Sequence, residues 1–300
     1  MKYWSEFAQQ GKERITVRQL LSHQAGLSVI DEPLTLKLLA DPEALAAILA
    51  RQKPVWEPGA RQGYHAFSMG LYASALLRRV DPRHRTLGQF FQDELAQPLG
   101  LEFYIGVPAS VAASRIATPT EKGGLQKLLM LPPGLALSLF TPRSLTMRTF
   151  RNPHVRSNLV FNSPEYRAIE FPSAGGIGRA DSIAKAYSVF ATGGHELGIT
   201  AETLAALSAP AIEPTGGQQD MVLHTATSFS LGFLKPWAGL RFGSSEKAFG
   251  MAGSGGSFGF ADPDARVGYA YVMNRQGPWM WDDPREKALR DAFYQCLKAL

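Results

Sequence analysis

Near residue 225 the apolar residues change their spacing, and that change limits the fold more than any other feature of the sequence. Before it, the pattern is helical. Residues 15–27 place Val17, Leu20 and Leu21 on one helical face, with Thr16 as an N-cap and Gly26 as a left-handed C-cap. Asp41-Pro42-Glu43 starts a second helix to about Ala50, with Asp at the N-cap and Pro in the first turn. Residues 66–80 carry Phe67, Leu71, Ala75 and Leu76 at helical spacing, and a further helix runs over roughly 86–97 to Pro98-Leu-Gly100. Residues 105–175 read as irregular, with Pro-Pro-Gly at 132–134. Asp181 or Ser182 caps a helix to about Thr192, and Thr200 starts another to about Ser208.

After residue 225 the period is two. Segments 228–234, 257–260 and 267–273 alternate, and the last two flank the turn composition Ala-Asp-Pro-Asp-Ala-Arg. Asp282 or Asp283 with Pro284 opens a final amphipathic helix. Helices followed by antiparallel strands make an α+β fold. The expectation is one domain over 1–300, mostly helical over 15–225, with strands and a C-terminal helix over 226–300.

Several function classes are disfavoured. The net charge of +5 comes without any run of like charges, so no nucleic-acid footprint is expected. A lone cysteine, Cys296, excludes an internal disulfide framework and a Cys-rich metal site. No apolar stretch is long enough to span a bilayer, so no membrane partner is expected. The N-terminus lacks an apolar signal region, which points to the cytoplasm. The histidines show neither H-x-x-x-H nor H-E-x-x-H spacing, and no Walker A loop or complete G-x-G-x-x-G after a strand occurs, so no metal or cofactor is expected.

Four segments occur in order: Ile15-Thr-Val-Arg-Gln-Leu-Leu-Ser-His-Gln-Ala-Gly-Leu27, Trp56-Glu-Pro-Gly59 with Tyr64-His65-Ala66, Pro98-Leu-Gly-Leu101, and Phe249-Gly-Met-Ala-Gly-Ser-Gly-Gly-Ser-Phe-Gly-Phe260. Together they resemble the serine β-lactamase and penicillin-binding-protein superfamily, in the branch of class C β-lactamases and related esterases. The resemblance implies a β-lactamase/transpeptidase-like fold. It also implies cleavage of small ester or amide substrates through an acyl-enzyme, with no cofactor. In such chemistry a Ser-x-x-Lys pair sits one helical turn apart, lysine and tyrosine take the serine proton, and two backbone N–H groups hold the oxyanion.

By this resemblance Tyr64 is the proton relay, against the alternative of a tyrosine merely packed at a helix start. The Ser254 N–H is one oxyanion donor. Ala66, Met251 and Gly253 occupy substrate-binding positions, with Ala66 replacing an asparagine and Met251 a lysine or histidine. His23 falls on a mostly structural histidine. The resemblance places the Ser-x-x-Lys helix, and strands before it, ahead of Ile15, but the fourteen residues there supply neither. The expectation is therefore an N-terminally incomplete domain that is inactive as written. The alternative is a pseudoenzyme that binds a ligand or partner.

Two other Ser-x-x-Lys pairs occur, Ser182/Lys185 and Ser244/Lys247. With 21 Ser and 11 Lys in the chain, chance supplies about 0.8 such pairs. Ser182 reads as a capping residue, with Ser182 and Lys185 as an alternative nucleophile and base. Gly255-Gly-Ser-Phe-Gly259 matches Gly-x-Ser-x-Gly but precedes a strand and a turn rather than a helix, which suits a Gly-rich strand edge.

Overall fold

The period-two region folds as an antiparallel sheet of three strands, Phe249–Ala252, Phe258–Asp262 and Val267–Tyr271. The computed structural model describes residues 2–121, 124–155 and 157–299. Alternation sorts the central strand. Phe258 and Phe260 pack with Phe242 and Tyr294 on one side, beneath the helix Pro284–Lys298. Gly259 and Ala261 turn to the other side, under the helix Ala180–Ala191. Glycine is required there: a Cβ on Gly268 would stand 2.2 Å from the Ala184 carbonyl oxygen and from the Ser188 nitrogen. Backbone therefore packs directly on backbone. Asp262, fully buried, ends the central strand by accepting the Ser244 hydroxyl at 2.9 Å and the Tyr294 hydroxyl at 2.7 Å.

The helical part begins with Thr16, which caps Val17–Leu21 in a box with Gln19. Only Leu20 of this helix is buried, and Val17 is exposed. Gly26 is left-handed (φ 74°) but does not cap the helix, which already ends at Ser22. Its job is close approach, since a Cβ would lie 2.5 Å from the Trp56 oxygen. Asp41 caps Pro42–Arg51 as expected, accepting from the Glu43 and Ala44 nitrogens. Ser68–Val80 crosses it, and Leu49, Leu71, Tyr72 and Phe171 fill the core between. Thr86 caps a helix from Leu87 that carries a π turn at Gln92–Ala96 and stops at left-handed Gly100.

Four expectations need correction. Segment 228–234 is not a strand. Gly232 (φ 90°) folds it back so that Phe229 bridges Leu234, and only Leu234 reaches the sheet, exchanging hydrogen bonds with Gly250. Residues 105–175 are not irregular throughout, because Gly124–Leu129, Pro133–Phe140, Leu145–Phe150 and Pro164–Arg167 are helical. Gly26 does not act as a helix cap. Nor do Asp181 and Ser182 cap their helix. It starts earlier, with Arg179 at the N-cap, so Asp181 and Ser182 lie inside the first turn.

Candidate functional site

Tyr64 lies in the loop leading into the helix Ser68–Val80 and is fixed through its backbone. Its N–H donates to Asp220 Oδ1 at 3.1 Å. The same oxygen accepts the N–H groups of Val222 and Leu223, each at 2.8 Å. Asp220 is wholly buried and so closes its own turn while holding a residue 156 positions away in sequence. Gln62 strengthens the seam, donating to the Thr227 carbonyl at 2.8 Å and to the Gln218 carbonyl at 3.0 Å. Burial raises the Asp220 carboxyl, and its backbone donors offset only part of that rise.

The next residue, His65, locks the floor of this loop. Its Nε2 accepts the Leu27 N–H at 3.0 Å, which leaves the proton on Nδ1 to donate to the Gly63 carbonyl at 2.6 Å. The His65 N–H donates to His23 Nδ1 at 3.0 Å. Burial holds both imidazoles neutral, with His65 lowered to about 4 and His23 well below its usual value. His23 sits 5.2 Å from the Tyr64 ring and 4.3 Å from Phe229, so the histidine of the first motif packs as a core residue.

The structure brings Tyr64 to the sheet. Tyr64, Met251 and Ala252 all pack against one apolar cluster that includes Phe229, Leu234 and Phe258. Gly253 and exposed Ser254 continue that edge strand into the turn. Burial, and then the Asp220 carboxylate, raise the Tyr64 phenol, so it stays protonated at neutral pH. Among the described residues the Tyr64 hydroxyl has no hydrogen-bond partner. A neutral phenol passes a proton on only when another group takes its own. Ala66 is buried behind Tyr64 and offers no polar group.

The alternative serines are committed elsewhere. Ser182 Oγ accepts the Glu102 N–H at 2.9 Å, and Lys185 is exposed with no hydrogen bond to it. Ser244 donates to Asp262, and Lys247 pairs with Asp264 at 2.8 Å. Ser257 closes the turn between two strands: its carbonyl accepts the Gly253 N–H at 2.7 Å, with Gly255 and Gly256 left-handed between them. No strand-to-helix elbow is present at this Gly-x-Ser-x-Gly. Among the described residues no cluster of three or more His, Cys, Asp or Glu is arranged to hold a metal ion.

A Beta-lactamase family model matches residues 1–292. The chain belongs to the beta-lactamase family. It is 29% identical over 283 residues to the Esterase/beta-lactamase LipL of Mycobacterium tuberculosis, an alignment covering 91% of this chain and 62% of LipL. The chain thus spans less than two thirds of that relative's length. Among solved structures, a family VIII carboxylesterase is 36% identical with a TM-score of 0.83, over 98% of this chain and 74% of that one. EstA from Arthrobacter nitroguajacolicus Rue61a is 32% identical with a TM-score of 0.84, over 99% and 76%. The α+β, β-lactamase/transpeptidase fold is therefore the fold of this chain. Among the described residues no helix is long and apolar enough to cross a membrane.

The sequence reading missed Asp220 and the His23–His65 pair. Asp220 carries a local signal, an Asp whose side chain accepts from the backbone two and three residues on, as in an Asx turn. Nothing local couples His65 to His23, since 42 residues separate them.

Proposed function

We propose that this chain is a serine-hydrolase homologue of the esterase kind, with a cleft for small ester or amide substrates between Tyr64 and the Met251–Ser254 edge. In this reading Tyr64 is the relay phenol, the Ser254 N–H is an oxyanion donor, and Ala66, Met251 and Gly253 line the substrate position. In this reading the chain forms no acyl-enzyme, because neither Ser182 nor Ser244, the two serines with a lysine three residues on, has that lysine on its hydroxyl. The observation that carries this reading is the packing of Tyr64 with Met251 and Ala252 on one cluster, while Ser182, Ser244 and Ser257 serve turns and strand ends. A panel of p-nitrophenyl esters and a chromogenic cephalosporin tests it. The expected result is hydrolysis at the buffer rate. Turnover that disappears in Ser182→Ala would overturn it.

A non-catalytic binding role is favoured by one further observation. Ala66, Met251 and Ala252 make the surroundings of Tyr64 more apolar than a carboxylate-holding site, which suits an uncharged ligand. Ligand-induced quenching of tryptophan fluorescence, lost in Tyr64→Ala, is the expected signature.

A further inference from the structure

The helix Pro133–Phe140 reads Pro-Gly-Leu-Ala-Leu-Ser-Leu-Phe and carries no charge. A helix apolar on every side belongs in a core or against lipid. Only its inner face is in the core. Leu135 is 2% exposed, and Ser138 Oγ lies 2.8 Å from His224 Nε2. A Cβ on Gly134 would stand 2.9 Å from the His224 Cβ. The helix is thereby seated on the same 220–224 turn that holds Tyr64.

The outer face is open. Leu137 is 70% and Phe140 68% exposed, three residues apart and so on one ridge with exposed Pro133. The preceding turn adds Leu129 at 73% and Met130 at 49%. Single exposed leucines need no explanation, but a contiguous group of large ones does. Among the described residues, three of the four most exposed large hydrophobics fall within residues 129–140.

Charge around this ridge is one-sided. Residues 122–164 contain six of the chain's 31 Lys and Arg and none of its 26 Asp and Glu, more than the whole net charge of +5. Arg143 and Arg151 are exposed and form no ion pair among the described residues. Lys127 and Arg148 are matched by Glu121 and Asp31 at 3.3 and 2.8 Å. An apolar partner protein asks only for the ridge. A segment that itself supplies only basic charges, with Arg143 and Arg151 left without an ion pair among the described residues, suits a sheet of negative charge, because near an anionic surface each basic residue gains about 1 kcal/mol.

We propose that the outer face of Pro133–Phe140, with Leu129 and Met130, is a peripheral docking surface for an anionic phospholipid layer. Leu137 and Phe140 enter the acyl boundary, and Arg143 and Arg151 lie at headgroup level. No spanning segment is needed for this mode of attachment. On its inner face the same helix shares the 220–224 turn with the Tyr64 loop.

Vesicle flotation tests the proposal. The protein is expected to float with vesicles of equal parts phosphatidylglycerol and phosphatidylcholine, and to stay down with pure phosphatidylcholine or at high salt. The double variant Leu137→Ser/Phe140→Ser should bind at least ~10-fold more weakly. Arg143→Glu/Arg151→Glu, a change of four charge units, should lose about 1,000-fold. Both leave the circular dichroism spectrum unchanged, because all four side chains are exposed. Absence of flotation by the parent chain, or flotation undiminished in Leu137→Ser/Phe140→Ser, overturns the proposal. So does a concentration-dependent dimer that this double variant abolishes while the parent chain fails to float, which would assign the face to a second copy of the chain.

Discussion

Replacing His65 by Gln should alter how stability depends on pH more than it alters stability itself at pH 4. His65 is completely buried between the Leu27 N–H and the Gly63 carbonyl, and burial lowers it from 6.5 to about 4. Below pH 6.5 the unfolded chain takes up a proton that the folded chain refuses. The stabilisation is therefore complete above pH 6.5 and is lost as pH falls toward 4. Each pH unit in that window removes about 1.4 kcal/mol, so the loss is about 3 kcal/mol in all. Glu286 works in the opposite sense. It is 2% exposed and burial raises it to about 7, so its contribution grows as pH falls from 7 to 4.5. Buried His23 acts in the same sense as His65, so the parent curve alone mixes slopes of both signs, and the difference between parent and variant removes what the two proteins share. Glutamine keeps an acceptor for the Leu27 N–H and does not titrate. Urea unfolding followed by tryptophan fluorescence should show the gap between parent and His65→Gln narrowing by about 3 kcal/mol from pH 7 to pH 4. A gap that stays constant over this range would refute the buried, neutral His65.

Three further outcomes follow from the packing and the hydrogen bonds. Gly268→Ala sets a methyl group against the Ala184 oxygen and Ser188 nitrogen, both backbone atoms of the covering helix. It should cost about 2 kcal/mol or more, read as a lowered thermal midpoint. Asp220→Ala strands the N–H groups of Tyr64, Val222 and Leu223 and should cost several kcal/mol, at ~1–3 kcal/mol for each buried group left unpaired. Tyr64→Phe, which removes a hydroxyl without a partner among the described residues, should stay within ~0.5 kcal/mol of the parent in the same melts.

The helix starts at Asp41 and Asp283 were readable because their chemistry is local, whereas Ala180–Ala191 starts behind Arg179, which has no capping side chain. Asp41-Pro42 and Asp283-Pro284 both bring a carboxylate to the first free N–H groups and a fixed φ to the first turn, and both helices begin there. The hairpin 258–271 was readable from strict alternation around a turn composition. Segment 228–234 alternates equally well, but one left-handed glycine reverses it, and alternation does not register a reversal. Pro132-Pro133-Gly134 looked like a break, yet Pro133 is a first-turn proline and the apolar run behind it is a helix. For the site, motif resemblance pointed to Tyr64 and the Met251–Ser254 edge. The groups that hold Tyr64, Asp220 and the paired histidines, are joined to it only by folding, so no spacing in the sequence marks their link to Tyr64, even where Asp220 closes a local turn.

Intact-mass spectrometry after incubation with a fluorophosphonate tests most directly the claim that this chain has the family's fold without a working nucleophile. With Ser182 bonded to the Glu102 N–H and no lysine on its hydroxyl, the account predicts an unmodified mass and no burst. A stoichiometric adduct mapped to Ser182 would contradict it and make Ser182 and Lys185 the catalytic pair, while an adduct on Ser257 would contradict it in favour of the Gly-x-Ser-x-Gly turn.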